Sequence, residues 1–190
     1  MRIGLLFGSF NPIHTGHLII ASSFINYGLN EVWFVVSPQN PFKQSEDLLN
    51  AEDRLHMVNL AIEKDSRFKS CDIEFHLPTP SYTIETLKHL TRQYNHEFFL
   101  LIGSDNYMGI SHWRSSNEIL NNYKICVYQR PSFPVTIKDE KPDNISIINP
   151  GLLDISSTGI RQLIEKGKSI RYLVPEEVCI EIEAKSYYRK

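Results

Sequence analysis

Cysteine is scarce: the 190 residues include only Cys71, Cys126 and Cys179, and none of them belongs to a CxxC pair. An odd number of widely spaced cysteines does not match a disulfide framework, and the missing CxxC pair argues against a structural zinc site. We therefore expect a cytoplasmic protein, in a reducing compartment.

Long apolar runs are also missing. The longest, at 32–36 and 98–102, are far shorter than the roughly 20 residues that a membrane helix needs. The N-terminus lacks a long apolar region followed by a small-residue cleavage site, so we expect no secretory signal. The apolar runs at 32–36 and 98–102 have the length of buried strands instead.

Neither sign of charge dominates, because 20 Lys and Arg residues stand against 22 Asp and Glu residues, a formal net charge of −2. Such a chain has no global field that would draw it onto nucleic acid or anionic lipid. We expect neither a nucleic acid nor a membrane as a partner, and any bound phosphate must be held by a local site. The sequence does not indicate an oligomeric state.

The residues that are present are typical of a globular protein with one core, since 42% are hydrophobic, 11% aromatic and 22% charged. No internal repeat with a period of roughly 20 to 50 residues is visible, and no Gly/Ser linker divides the chain. We predict a single domain over residues 1–190.

Apolar runs alternate with helix-like patterns along the whole chain. This alternation predicts a doubly wound, Rossmann-like α/β fold, with a mostly parallel sheet and helices on both faces. Strands are predicted at 2–7, 31–37, 69–75, 97–102, 124–128 and 145–148, and helices at 15–27, 51–64, 83–94, 157–166 and 175–185. In such sheets ligands bind beyond the carboxyl ends of the strands, so we expect the site in the loops that follow them.

The loop after the first strand, residues 8–17, reads GSFNPIHTGH. Gly8 lets the backbone turn tightly, and free N–H groups at the start of the next helix favour an anion. His14 and His17 are three residues apart at that helix start, so their rings can share a face, and Gly16 leaves the face open. One histidine alone is more often a cap or a surface residue, but the pair in a strand-to-helix turn predicts two imidazole donors for one phosphate.

A second candidate lies near the C-terminus, where residues 155–161 read ISSTGIR. Ser156 and Thr158 are favourable N-cap residues, and Arg161 follows within one helical turn. Together they can hold phosphate oxygens through hydroxyl, N–H and guanidinium donors. By itself this pattern is more often ordinary helix capping beside a solvated arginine.

The two motifs together resemble those of the HxGH nucleotidyltransferase superfamily, whose members transfer adenylyl or cytidylyl groups between phosphates. Three further segments are similar to the bacterial nicotinate mononucleotide adenylyltransferase family: PSYT at 80–83, GSDN at 103–106 and HW at 112–113. The resemblance covers nearly the whole chain.

The resemblance implies transfer of the adenylyl group of ATP to nicotinate mononucleotide by direct in-line attack, giving deamido-NAD and pyrophosphate in NAD biosynthesis. It also implies that Mg²⁺ arrives with ATP and that His14, His17 and Arg161 are catalytic. The residues that it assigns to ATP and its phosphates are Gly8, Ser9, Phe10, Lys43, Gly103, Asp105, Ser156 and Thr158. Those that it assigns to nicotinate mononucleotide are Ser81, Tyr82, Thr83 and Trp113.

The acceptor residues also have a physical basis of their own. Ser81 and Thr83 follow two prolines and open a helix whose free N–H groups can bind a small carboxylate. Trp113 offers a flat face that can stack on a pyridine ring. Because a carboxylate needs only donors whereas a carboxamide needs a donor and an acceptor, we predict the acid as the acceptor.

Two positions depart from the family pattern. The first turn has Asn11 where the family commonly has Asp, with a difference of one residue in the spacing after Gly8. In the second loop Phe42 stands where the family has a histidine near the phosphates, so Lys43 has to supply the charge there.

Two alternatives remain open from the residues. The first is another adenylyltransferase, acting on nicotinamide mononucleotide or on a different phosphate acceptor such as phosphopantetheine. The second is a nucleotide-binding sensor that retains the fold but performs no chemistry.

The sequence shows no carboxylate cluster that would hold a metal permanently.

Overall fold

Six parallel strands form one sheet in the computed structural model, which describes residues 1–39, 48–130, 133–135, 144–151 and 154–189. The sheet order is β3-β2-β1-β4-β5-β6, and every neighbouring pair is parallel. From β1 the strands follow in sequence order to β3 on one side of the sheet, and from β4 to β6 on the other, so the strand order reverses between β1 and β4. In sheets of this kind ligands bind at that reversal. The strands are β1 (Arg2–Gly8), β2 (Glu31–Val36), β3 (Phe68–Cys71), β4 (Glu97–Gly103), β5 (Lys124–Tyr128) and β6 (Ile145–Ile148).

Helices connect the strands and cover the sheet. None of the helices described here has the length and apolar composition needed to cross a membrane. The α-helices are α1 (Thr15–Asn26), α2 (Ala51–Ile62), α3 (Thr83–Gln93), α4 (Ser104–Met108), α5 (Ser116–Asn122), α6 (Ser157–Glu165) and α7 (Glu176–Ala184). Two short 3₁₀ helices lie at Ile73–His76 and Ile110–His112.

The sheet separates two hydrophobic cores. Side chains alternate between its faces, so Leu6 of β1 packs in one core while Ile3 and Leu5 of the same strand pack in the other. The first core is closed by α1, α2, α6 and α7, and the second by α3 and α5. The predicted doubly wound α/β fold with helices on both faces is therefore confirmed.

The predicted elements differ from the observed ones mainly between β3 and β5. The strand predicted at 69–75 is wrong in its second half, because β3 ends at Cys71 and a 3₁₀ helix follows. The sequence patterns also do not indicate α4 and α5, which are short and have five and seven residues. A helix of one or two turns is too short to show a clear apolar period, so only its packing against the sheet reveals it.

Candidate active site

The turn after β1 brings the first motif to the carboxyl edge of the sheet. Gly8 is the last residue of the strand, and the left-handed conformation falls on Phe10, which has a φ of 45°. The expected tight turn at Gly8 is thus wrong in its position. A Cβ at Gly8 would lie 2.9 Å from the Phe10 ring, so the glycine makes room for that ring in the core.

The two histidine rings stack on each other at the start of α1. The ring centroids of His14 and His17 are 3.7 Å apart, with 22° between the planes. The His14 backbone N–H donates to Nδ1 of His17 at 3.2 Å, so His17 carries its proton on Nε2 in this arrangement. The Phe10 ring meets His17 edge-on, with its centroid at 5.0 Å, and supports the stack from the core side. The shared face that the sequence predicts for the two rings is therefore present.

His14 is almost completely buried, with 5% of its surface exposed. Burial, together with the nearby charge of Arg130, lowers its pKa from 6.5 to about 4. At neutral pH this ring is uncharged and offers one N–H donor rather than two. Its Nδ1 has no hydrogen-bond partner among the described residues, and a Cβ at Gly16 would lie 3.0 Å from that atom. Gly16 therefore provides the space that the ring occupies.

The histidines line one wall of a cavity of about 340 Å³, called here the histidine cavity. The opposite wall is the start of α6, and the hydroxyl of Ser157 joins the two walls by donating to the carbonyl of Pro12 at 2.9 Å. The Ser156 hydroxyl accepts from the Gly159 N–H at 3.1 Å, so it caps α6. The polar side chains that line the histidine cavity are His14, His17, Tyr128, Arg130, Asp154, Ser156, Ser157 and Thr158.

Arg161 lies behind the turn rather than in the histidine cavity. Its Nη1 donates to the carbonyl of Asn11 at 2.9 Å, and it is not one of the described residues that line the cavity. In this position the guanidinium stabilises the turn that carries the histidines. Its catalytic role stays a prediction.

Asn11 ties the turn to two distant segments. Its Oδ1 accepts from the hydroxyl of Tyr188 at 2.8 Å and from the N–H of Leu49 at 3.3 Å. In addition, the N–H of Thr15 donates to the carbonyl of Leu173 at 2.9 Å. The sequence patterns do not point to this role of Tyr188, because a tyrosine carries no local signal of a hydrogen-bond partner that is distant in the chain.

Arg54 of α2 is another positioning residue that the sequence does not reveal. It is completely buried, and its guanidinium donates to four carbonyl groups, which belong to Ser9, Ser37, Pro38 and Leu49. These bonds fix the ends of β1 and β2 relative to each other. The carbonyl of Ser9, a predicted phosphate-binding residue, is thus already engaged with Arg54.

A second cavity of about 340 Å³ lies beside the first, and we call it the acceptor cavity. It brings together the two segments that the sequence predicts for the acceptor, 81–83 and Trp113, and it is also lined by Gly8, Gly103 and Asp105, which the sequence predicts for ATP. Thr83 is the first residue of α3, and the α3 N-cap, Tyr82, makes no side-chain hydrogen bond to the helix. The predicted residues that line this cavity are Gly8, Ser81, Tyr82, Thr83, Gly103, Asp105 and Trp113.

Arg130 lies between the two cavities, directly after β5. Its Nε is 3.2 Å from Oδ1 of Asp105, which lines the acceptor cavity, while Arg130 itself lines the histidine cavity. Its Nη2 also donates to the hydroxyl of Tyr128, a residue of both cavities, at 3.3 Å. Gly103 permits the contact between Asp105 and Arg130, because a Cβ at Gly103 would collide with Asp105. The sequence offers one signal for Arg130, its place at the carboxyl end of a strand.

Lys43 and Phe42, the two positions of the second loop on which the predicted phosphate contacts depend, lie outside the described residues. The prediction for Lys43 therefore stays a prediction. Among the described residues, the cation that lines the histidine cavity is Arg130.

Comparisons with known proteins agree with this geometry. The family model of cytidylyltransferase-like proteins matches residues 5–163. A relative from Cytophaga hutchinsonii, named a probable nicotinate-nucleotide adenylyltransferase, is 47% identical over 190 residues, which span 99% of this chain and 98% of that protein. One of the same name from Bacteroides fragilis is 49% identical over 175 residues, spanning 91% and 87% of the two chains.

Solved structures show the same fold. Nicotinic acid mononucleotide adenylyltransferase of Plasmodium falciparum, solved in complex with NaAD, has a TM-score of 0.83 at 22% identity and matches 98% of this chain and 97% of that one. At this identity the solved structure shows a shared fold, whereas the sequence relatives and the family model also show the family. The chain belongs to the cytidylyltransferase-like family and, within it, to the nicotinate-nucleotide adenylyltransferases.

Proposed function

We propose that the protein transfers the adenylyl group of ATP to nicotinate mononucleotide and releases pyrophosphate. A 5′-phosphate oxygen of the mononucleotide attacks the α-phosphorus of ATP, and the bond between that phosphorus and the oxygen bridging to the β-phosphate breaks. The product is the dinucleotide deamido-NAD. A phosphate monoester is already a competent nucleophile at neutral pH, so no covalent enzyme intermediate is needed.

One observation carries this proposal: two cavities of similar size meet at Tyr128 and Arg130, at the carboxyl edge of the sheet. The histidine cavity has donors for phosphate oxygens, and the acceptor cavity has aromatic walls and the free start of α3. ATP in the first cavity and a mononucleotide in the second would have their phosphates facing each other at the junction. Such positioning is the main contribution that an enzyme makes to this reaction.

The donors of the histidine cavity suit the developing charge. His17, with its proton on Nε2, and the neutral His14 would each donate to non-bridging oxygens of the α-phosphate. Arg130 would add a positive charge at the junction, where the phosphates of both substrates meet. Thr158 would contact the departing pyrophosphate.

In the acceptor cavity, Trp113 would stack on the pyridine ring. The backbone N–H groups at the start of α3, beginning with Thr83, would bind the carboxylate. This assignment favours the acid over the amide, since N–H groups are donors only.

We further propose that Mg²⁺ enters bound to the phosphates of ATP. The described part of the chain contains no group of three or more metal-ligating side chains. Mg²⁺ commonly keeps several waters and binds through substrate phosphates, aided by one or two carboxylates. Asp154 is the carboxylate that lines the histidine cavity and could assist.

We also propose that the chain works as a single domain in the cytoplasm. ATP is available there, and Cys71 and Cys179 form no disulfide. The reducing environment of that compartment matches free thiols.

The decisive experiment measures pyrophosphate release with Mg·ATP and three acceptors in parallel: nicotinate mononucleotide, nicotinamide mononucleotide and phosphopantetheine. Product masses identify the compound formed. We expect fast turnover with the acid and a mass corresponding to deamido-NAD. Preference for another acceptor would refute the acceptor assignment, and ATP binding without turnover on any acceptor would favour a sensor.

A further inference from the structure

Three buried side-chain oxygen atoms of the acceptor cavity make no hydrogen bond to the described residues, and one of them, Oδ1 of Asp105, lies in an ion pair with Arg130. Glu74 is 2% exposed and Ser81 is 8% exposed, and both line the cavity. Within the described residues, Oε2 of Glu74 and Oγ of Ser81 make no hydrogen bond. Buried polar atoms in native proteins are almost always satisfied, so two such atoms in one cavity indicate that a ligand group pairs with them.

The contacts of Glu74 indicate where its proton lies. The hydroxyl of Thr86, on α3, donates to Oε1 at 2.8 Å, which makes Oε1 an acceptor. No cation among the described residues lies within ion-pair distance of this carboxyl group, and burial raises its pKa against the opposing effects of the nearby hydroxyl groups of Thr86, Ser37 and Ser81. Because a buried carboxylate without a cation is costly, burial acts in favour of the neutral acid, in which Oε2 would carry the proton.

The charged groups elsewhere around the cavity are engaged or lie at its rim. Asp105 pairs with Arg130, and the guanidinium of Arg114 lies over the Tyr82 ring, 4.6 Å from its centroid. Oε2 of Glu74 and Oγ of Ser81 are thus buried polar atoms of the cavity wall that make neither a hydrogen bond nor an ion pair with the described residues.

We propose that Glu74 is a specificity-determining residue, which together with Ser81 presents hydroxyl donors to a carboxylate on the ring of the acceptor. A carboxamide would place its N–H₂ group against these donors and leave at least one buried group unpaired. This inference rests on the proposed function, because it assumes a pyridine mononucleotide in this cavity.

The test compares Glu74→Gln, Glu74→Met and Ser81→Ala with the wild-type protein. For each, the ratio of kcat/KM for nicotinate mononucleotide to that for nicotinamide mononucleotide is measured, and calorimetry gives the affinity for each mononucleotide without ATP. The control is Glu85→Gln, which removes an exposed carboxylate from the first turn of α3 and should leave the ratio unchanged.

We expect Glu74→Gln to keep the ratio within about threefold, because its amide oxygen can accept from Thr86 while its N–H₂ donates in place of Oε2–H. Glu74→Met should lower the ratio at least about tenfold, through the KM of the acid and without a change in the KM of ATP. Ser81→Ala should lower it in the same direction by a smaller factor, about threefold.

Four results would overturn the inference. A large rise of the ratio in Glu74→Gln would mean that the native side chain is ionised and repels the acid. An equal loss for both mononucleotides in Glu74→Met would mean that Glu74 serves packing alone, and if that variant does not fold, an unchanged ratio in Ser81→Ala decides against the inference. If the wild-type protein turns over neither mononucleotide, the proposed function fails, and equal calorimetric affinities for the two would then also overturn the role of Glu74.

Discussion

The histidine cavity and the acceptor cavity lie side by side and have similar volumes, but they are assembled differently. The walls of the first come from segments far apart in the chain, the turn at 14–17, Arg130 and the start of α6. The side chains specific to the second come mainly from one stretch, from Glu74 to Ile119. The cavity that we propose for the phosphates thus depends on long-range contacts, whereas the cavity that we propose for the ring depends mostly on one contiguous region.

The two cavities also differ in charge. The histidine cavity contains the guanidinium of Arg130 beside the uncharged ring of His14, an environment suited to a polyanion. The acceptor cavity contains the aromatic side chains of Tyr82 and Trp113 and the buried carboxyl group of Glu74, an environment suited to a flat ring with one polar substituent. Variants in one cavity should therefore affect one substrate and spare the other.

The largest expected effect is that of His17→Ala, which should lower kcat far more than the affinity for ATP. His17→Ala removes a donor whose benefit grows as charge builds on the α-phosphate, so we expect kcat to fall about a thousandfold or more. Binding of ATP should stay within about tenfold, and calorimetry should find the affinity for the mononucleotide unchanged. A loss confined to ATP binding would show that His17 binds the ground state and would favour a sensor.

A smaller effect concerns the stability of the histidine cavity in acid. In the unfolded chain His14 takes up a proton near pH 6.5, whereas in the folded protein its pKa is about 4. The unfolded state therefore binds more protons between these values, and stability falls as the pH drops from 6.5 towards 4, by about 3 kcal/mol in total.

Chemical denaturation of the wild-type protein and of His14→Gln at several pH values measures this contribution. The variant should lose less stability than the wild type across the same interval. His89→Gln, which changes an exposed histidine, should reproduce the wild-type profile. Identical profiles for the wild type and His14→Gln would show that the buried ring is protonated without cost.

The smallest expected effect is confined to the acceptor cavity. Thr83→Pro deletes one backbone N–H at the first position of α3, where proline is compatible with a helix. We expect the KM of the acid acceptor to rise about tenfold, since one donor to its carboxylate is lost, while the KM of ATP stays constant. Steady-state kinetics with each substrate varied in turn measures both values, and equal changes in the two would remove Thr83 from the acceptor site.

Much of the fold could be predicted, because periodicity is a local property of the chain. The apolar runs indicate all six strands, and five of the seven helices described above follow from repeating apolar patterns and capping residues. The short α4 and α5 could not be predicted, since one or two turns show no clear apolar period and their helical conformation depends on tertiary packing. The two histidines and the segments at 81–83 and 103–106 could also be predicted, because each lies directly after a strand or at a helix start, whereas Trp113 follows a 3₁₀ helix and was predicted from the family resemblance.

The sequence by itself determined which loops carry the polar groups of the site and which family the chain resembles. Only the tertiary structure decided that Arg161 supports the turn through Asn11, that Arg54 is buried against backbone carbonyls, and that Glu74 is buried in the acceptor cavity with no cation among the described residues beside it. The physical reason is that burial, hydrogen-bond partners and protonation are set by segments distant in sequence. An arginine or glutamate in a helix has the same local pattern whether the folded chain leaves it in water or encloses it.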